Sequence, residues 1–260
     1  MSKGIEVSRA AGAQVIRINR PDKKNALSSV MYLDLVQALE EGDAAAGVAA
    51  HVVLGAHGVF TAGNDLADFL SFGKDGSSGA VDNVMRFVET LPRVKKPLIA
   101  GVDGLAVGVG VTMLAHFDLV YASPNAVFTT PFLDLGVVPE AASSLLLPRL
   151  MGHQRAFALL VLGEPLSADR ALEAGLVNEI VPADMLEEKA LAAARKLARK
   201  PPQALAIARR LVRGDTDQIM ARMNEEAALF KARLASPEAI EAFRAFFEKR
   251  PPNFAKTTPG

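Results

Sequence analysis

An α/β fold is predicted for this chain by two observations. Short β-branched runs alternate with stretches of helical apolar spacing up to Val181, and from about Asp184 the pattern is helical almost throughout. In order, apolar and polar residues partly alternate from Ala13 to Asn19, and Val52 to Leu54 form a β-branched run ahead of a glycine-containing turn; both read as strands. Between them Val30, Leu33, Val36 and Leu39 recur at spacings of three, which predicts a helix capped by Ser28 or Ser29. Val81, Val84, Met85, Val88 and Leu91 share one face of a second helix, and PLIAGV follows as a buried strand. DLVYASPNAVFTTP gives two extended runs around a Ser-Pro-Asn turn, and SLLLPRLMGHQRAFALLVLG reads as helical with Pro148 interrupting it. In the tail, Met220, Met223, Ala227, Phe230 and Leu234 line one helical face, and Ile240, Phe243, Phe246 and Phe247 line another.

Composition narrows the function classes. The chain has 260 residues, half of them apolar, which is enough for one sizeable core. Its 29 Lys+Arg balance 29 Asp+Glu, which gives no support to a broad nucleic-acid footprint; an anion site has to be local. Without cysteine there is no disulfide, thiolate metal site or Cys nucleophile. The four histidines, His51, His57, His116 and His153, show no metal-ligand spacing, so no metal is expected. No apolar run has the length of a membrane span or a signal peptide, and a cytoplasmic protein without membrane partners is the expectation.

GLAVGVGVTMLAHFD carries Gly104, Gly108 and Gly110, but Met113 stands where a dinucleotide loop needs its third glycine. Glycines of this kind let a backbone approach a ligand and aim amides outward, as in an oxyanion site; taken alone, the segment fits tight helix packing equally well.

The segments RPDKKNALS, GVFTAGNDL, KKPLIAGVDGLAVGVGVTMLAHFDLVYAS and TTPFLDLGVVPEAASSLLLPRLMG follow one another in the order and spacing of the crotonase (enoyl-CoA hydratase/isomerase) superfamily. GEPLSADRALEAGLVNEIVP and FRAFFEKRPPNF extend the resemblance over nearly the whole chain. It implies an α/β, crotonase-like spiral of repeated ββα units over residues 1–195. Residues 196–260 would then be a C-terminal helical region that builds a homotrimer or a dimer of trimers.

The resemblance also implies site roles. The backbone N–H groups of Asn64, after Ala62-Gly63, and of Val109, after Gly108, form the oxyanion pair. Val109 departs from the glycine often found there, but a backbone amide survives a change of side chain. Relatives that hydrate 2-enoyl-CoA use two glutamates, and the matching positions here are Thr112 and Phe132, neither of which can do carboxylate chemistry. Glu140 in VVPEAASS instead resembles the catalytic glutamate of the peroxisomal-type Δ3,Δ2-enoyl-CoA isomerase branch. Read without the resemblance, Glu140 is a first-turn helix residue favoured by the helix dipole. If it is the base, burial beside the acyl chain should raise its pKa. Asp65, Asp68 and Asp134 are weaker candidates for a second acid, and Asp65 suits ordering of its own loop better.

Substrate contacts are expected from Ala62, Gly63, Asp65, Leu66, Gly108 and Phe132, and CoA phosphate contacts from Lys23 and Lys24 or from Lys249. Phe69, Phe72 and residues near Val84 are candidates for the acyl-chain wall, and the stretch FLSFGKDGSSGAVDN for a mobile loop. No cofactor is implied, since CoA enters as part of the substrate. Three functions stay open at this point. They are an isomerase of unsaturated fatty acyl-CoA, a hydratase or other lyase of the same superfamily with a rearranged acid, and a non-catalytic acyl-CoA or RNA-binding protein.

Overall fold

The computed structural model describes residues 3–68 and 79–256. Nine strands form two sheets among these residues. β1 (Ile5–Ala10), β2 (Ala13–Ile18), β3 (Ala50–Gly55), β4 (Leu98–Val102), β6 (Leu119–Ala122) and β9 (Glu179–Ile180) make a six-stranded sheet, antiparallel only at its β1–β2 hairpin. β5 (Leu105–Val107), β7 (Val127–Thr129) and β8 (Leu166–Ser167) make a smaller one. Parallel strands need crossovers, and the helices supply them. They are α1 (Ser29–Ala44), α2 (Gly79–Thr90), α3 (Val109–Thr112), α4 (Ser143–Met151), α5 (His153–Leu160), α6 (Ala168–Glu173), α7 (Leu186–Ala198), α8 (Pro202–Arg213), α9 (Thr216–Leu234) and α10 (Pro237–Phe247).

Three successive turns of the chain repeat one pattern, with a strand in the large sheet, then a short extended piece in the small sheet, then a helix. β3 is followed by Thr61, which bridges to Ala106, and then by α2; β4 is followed by β5 and α3; β6 is followed by β7 and α4. The two extended runs around Ser123-Pro124-Asn125 therefore belong to different sheets, although they are neighbours in sequence. Every residue of β4 is buried, because the sheet is covered on both faces. α7 seals one face through Leu186, Ala190 and Ala194 against Val15, Val52, Leu54 and Ile99. α1 and α2 seal the other through Met31, Tyr32, Leu35, Leu39, Val84 and Val88. Each large apolar side chain so buried contributes about 1.5–3 kcal/mol.

Several expectations are corrected. α1 begins at Ser29 after an extended Ser28, but its buried face is Met31, Tyr32, Leu35, Val36 and Leu39; Val30 is 55% exposed and Leu33 only half-buried. Spacings of three drift off a 3.6-residue helix, which is why Val30 falls outside the stripe. Pro148 lies within α4, and the helix ends instead at Gly152, whose φ is 82°. Ile240, Phe246 and Phe247 are exposed, and of that group only Phe243 is buried. β1 and its pairing with β2 were not legible in the sequence pattern. α7 runs across position 195.

Candidate functional site

Two loops meet at the rim between the sheets. On the first, Leu27 N–H donates to Gly63 O (2.8 Å) and Asp65 N–H to Leu27 O (2.9 Å), a parallel bridge that leaves the intervening Asn64 N–H facing the other way. On the second, Gly108 N–H donates to Thr129 O (2.9 Å), while Val111 and Thr112 N–H return to Gly108 O (2.8 and 3.1 Å). Among the described residues no hydrogen bond uses the N–H of Asn64 or of Val109. Gly63 brings the loops together. Its φ is +84°, and a Cβ there would lie 2.7 Å from Val107 O. Gly108 is needed for its backbone alone, with φ +56° and open space where a Cβ would go.

Beside these loops lies a cavity of about 360 Å³, lined by Ala62, Gly63, Asn64, Leu66, Gly108 and Phe132 together with α9 and α10 side chains such as Phe230 and Phe243. Its lining is mainly apolar, the usual character of a small-molecule site. Asp134 stands at its edge and is exposed.

Glu140 precedes α4 by three residues and is no part of its first turn. It is 1% exposed and is not among the residues that line the cavity. Thr112 Oγ1 donates to its Oε1, and Oε2 is buried without a hydrogen-bond partner among the described residues. Burial pushes its pKa up to about 8; the Thr112 hydrogen bond opposes that rise and the Glu226 carboxylate adds to it. The negative charge of Glu140 also reaches Tyr32, whose phenol is held well above its usual pKa, by burial first and then by Glu140. Tyr32 Oη in turn donates to Asn64 Oδ1. Two hydrogen-bonded pairs, Thr112–Glu140 and Tyr32–Asn64, thus involve the two amide loops, and the charge of Glu140 acts on Tyr32 between them.

The remaining expected contacts divide. Ala62, Gly63, Asn64, Leu66, Gly108 and Phe132 line the cavity, and Val109 is buried next to it. Asp65 turns away, accepting from Arg20 Nη1 (2.8 Å) and from Ala67 N–H (3.2 Å), so it orders the loop. The Lys23 and Lys24 side chains are exposed and do not line the cavity; Lys24 contributes its carbonyl, which accepts from Ala62 N–H at 3.0 Å. Phe69 and Phe72 lie outside the described residues, as does most of the stretch expected to be mobile. His51 and His116 are buried, bonded to Asp43 (3.1 Å) and to Ala141 O (2.7 Å), and no cluster of potential metal ligands occurs among the described residues. Tyr32, His116 and Glu226 were missed from sequence. Glu226 alone left a signal, an acid set into the apolar stripe of Met223, Phe230 and Leu234.

The enoyl-CoA hydratase/isomerase family model matches residues 8–257. The chain belongs to the enoyl-CoA hydratase/isomerase family. Within that family it is 38% identical over 256 residues to "Enoyl-CoA delta isomerase 2" of Rattus norvegicus, with 96% of this chain aligned to 65% of that protein's length. It is 33% identical to "2,3-dehydroadipyl-CoA hydratase" of Escherichia coli, over 95% of this chain and 97% of that one. An enoyl-CoA hydratase/isomerase structure from Pseudoalteromonas atlantica superposes with a TM-score of 0.89 at 39% identity, covering 97% of this chain and all of that one. The two-sheet spiral of ββα turns is this family's crotonase-like fold.

Proposed function

We propose that the protein is a Δ3,Δ2-enoyl-CoA isomerase acting on unsaturated fatty acyl-CoA. The reading rests on a single observation: among the described residues, Oε2 of the buried Glu140 has no hydrogen-bond partner and the Asn64 and Val109 amides of two neighbouring loops are unused. The resemblance adds that Thr112 and Phe132 hold the positions where hydrating relatives carry glutamates. Its resemblance to proteins named as delta isomerases supports the same reading.

In this mechanism the thioester oxygen accepts from Asn64 and Val109 N–H. Oε2 of Glu140 removes a proton from carbon 2 of a 3-enoyl thioester, the C–H electron pair becomes the C1–C2 double bond, and the carbonyl π pair moves onto oxygen. As the enolate collapses, the C3–C4 π pair takes the proton from Glu140 at carbon 4, leaving the double bond between carbons 2 and 3. No water and no second carboxylate enter. Each oxyanion donor contributes about 10²–10³ in rate. A trimer or dimer of trimers through the C-terminal helices completes the proposal.

The test is a paired assay of the wild type with a 3-enoyl-CoA and with crotonyl-CoA, which has no 3,4-double bond. Isomerisation without useful hydration is expected. Robust hydration of crotonyl-CoA would favour the hydratase reading, to which the similarity with the Escherichia coli hydratase lends weight.

A further inference from the structure

The loop that carries Glu140 has an unusual backbone. Ala141 and Ala142 both have positive φ, 60° and 54°, which side-chain-bearing residues adopt at a cost and keep only where neighbours hold them. Two buried side chains from distant parts of the chain do so. His116 Nε2 bonds Ala141 O at 2.7 Å; with its pKa lowered to about 4 by burial, the ring is neutral and donates from that nitrogen. From the other side, Glu226 on α9 reaches across 82 residues of sequence. Its Oε1 accepts from Ser144 N–H (3.0 Å) and from Ser144 Oγ (2.5 Å), at the start of α4.

Glu226 is 5% exposed, and its second oxygen, Oε2, is buried with no hydrogen-bond partner among the described residues. Met223 and Phe230, on the same helix, are buried beside it. A carboxylate set into an apolar stripe is costly unless it is hydrogen-bonded, and the bonds from Ser144 supply that partner.

We infer that Glu226 is the positioning residue of the Glu140 loop, fixing the left-handed Ala141–Ala142 turn from α9 and setting a second negative charge behind the base. The inference rests on Glu140 being the base. Charged and titratable groups around this pair are Arg222 and Glu225 on α9 itself, which pair with each other at 3.4 Å, Tyr32, which feels the charge of Glu140, and His116, which bonds Ala141 O. Arg222 Nη1 also lies 3.5 Å from Ser144 Oγ. The effect on the base has a definite sign. Burial raises the pKa of Glu226 against the lowering hydrogen bonds from Ser144 and the Ala142 backbone and the charge of Arg222, and its own charge in turn raises that of Glu140. Removing that charge lowers the pKa of Glu140 and extends its active, ionised form to lower pH.

The experiment compares Glu226→Gln and Glu226→Ala with the wild type on a 3-enoyl-CoA, measuring kcat, KM, the pH profile of kcat/KM and thermal unfolding, with Glu140→Gln as the control. Glu226→Ala is expected to lower kcat on the alkaline plateau by about 10²-fold, the scale of a misplaced catalytic group, with KM within about twofold. Glu226→Gln keeps an oxygen for Ser144 and should restore most of that kcat. In Glu226→Gln, and in any folded Glu226→Ala, the rising limb of the profile should move to lower pH. A Glu226→Gln enzyme whose limb stays where the wild type has it overturns the inference, as does a Glu226→Ala enzyme with wild-type kcat. If Glu140→Gln itself turns over normally, the base assignment falls first and the inference falls with it.

Discussion

The Thr112 hydroxyl donates to one carboxylate oxygen of Glu140, while the other is buried with no hydrogen-bond partner among the described residues, so the two oxygens of the same group are inequivalent. The hydrogen bond favours the ionised form, against burial, which favours the neutral one. Kcat/KM of the wild type should therefore rise with pH through about 8, as Glu140 ionises. Thr112→Val removes the donor at nearly constant volume. Its rising limb should shift to higher pH, and its kcat/KM at pH 7 should fall by about tenfold, the equivalent of roughly one hydrogen bond. A limb that moves to lower pH would contradict this arrangement.

Stability carries the same signature with the sign reversed for function. A carboxyl whose folded pKa is about 8 holds its proton in the native state over a range where the unfolded chain has lost it. That contribution is complete below the unfolded value of 4.5 and is lost as pH rises through the folded one. Glu140→Gln mimics the protonated form at every pH. Its melting temperature should match the wild type near pH 4 and exceed it at pH 8 by several degrees, at about 2–4 °C per kcal/mol for a chain near this size. Calorimetry at the two pH values measures the gap.

Gly63 and Gly108 both have positive φ, yet they respond to substitution for different reasons. Gly63→Ala drives a Cβ to within 2.7 Å of Val107 O and forces apart the two amide loops, whereas Gly108→Ala meets nothing and suffers backbone strain alone. Turnover of a 3-enoyl-CoA should fall by 10²-fold or more in Gly63→Ala, on the scale of one lost oxyanion donor, and by about tenfold in Gly108→Ala. Equal losses would place the importance of Gly63 in its dihedrals and not in its contact.

Much of this site was legible in the sequence and part of it was not, for physical reasons. Glycine and apolar patterns report local backbone and burial, so Gly108, β4 and the α2 face were readable from the residues themselves, while Gly63 entered only with the family resemblance. The order of the motifs, through the family they resemble, is what proposes Asn64, Val109 and Glu140 as a set. Partners from far along the chain leave almost no local trace. Tyr32 reads as one more apolar-face residue of α1, and its bond to Asn64 needs the fold. Thr112 was recognisable as a lost carboxylate, but its bond to Glu140 spans 28 residues. The lysines show a different limit. A Lys pair in a loop reads by itself as a solvated face, which the exposure of Lys23 and Lys24 matches, and the use of the Lys24 carbonyl by Ala62 N–H needs the fold.

A buried single base also predicts the fate of the transferred proton. Glu140 is 1% exposed, so a proton taken from carbon 2 exchanges slowly with water before delivery to carbon 4. With 3-enoyl-CoA deuterated at carbon 2, a measurable share of the label should appear at carbon 4 of the product by mass spectrometry or NMR. Complete loss of label to solvent would mean that an exposed group or water carries the proton.

The central claim is that Glu140 alone performs both proton transfers, and turnover of a 3-enoyl-CoA by Glu140→Gln tests it most directly, with binding of the substrate measured in parallel. The account predicts a loss of kcat of about 10³-fold or more, with binding retained and no hydration of crotonyl-CoA in either protein. A Glu140→Gln enzyme that isomerises within about tenfold of the wild type would show that another group is the base.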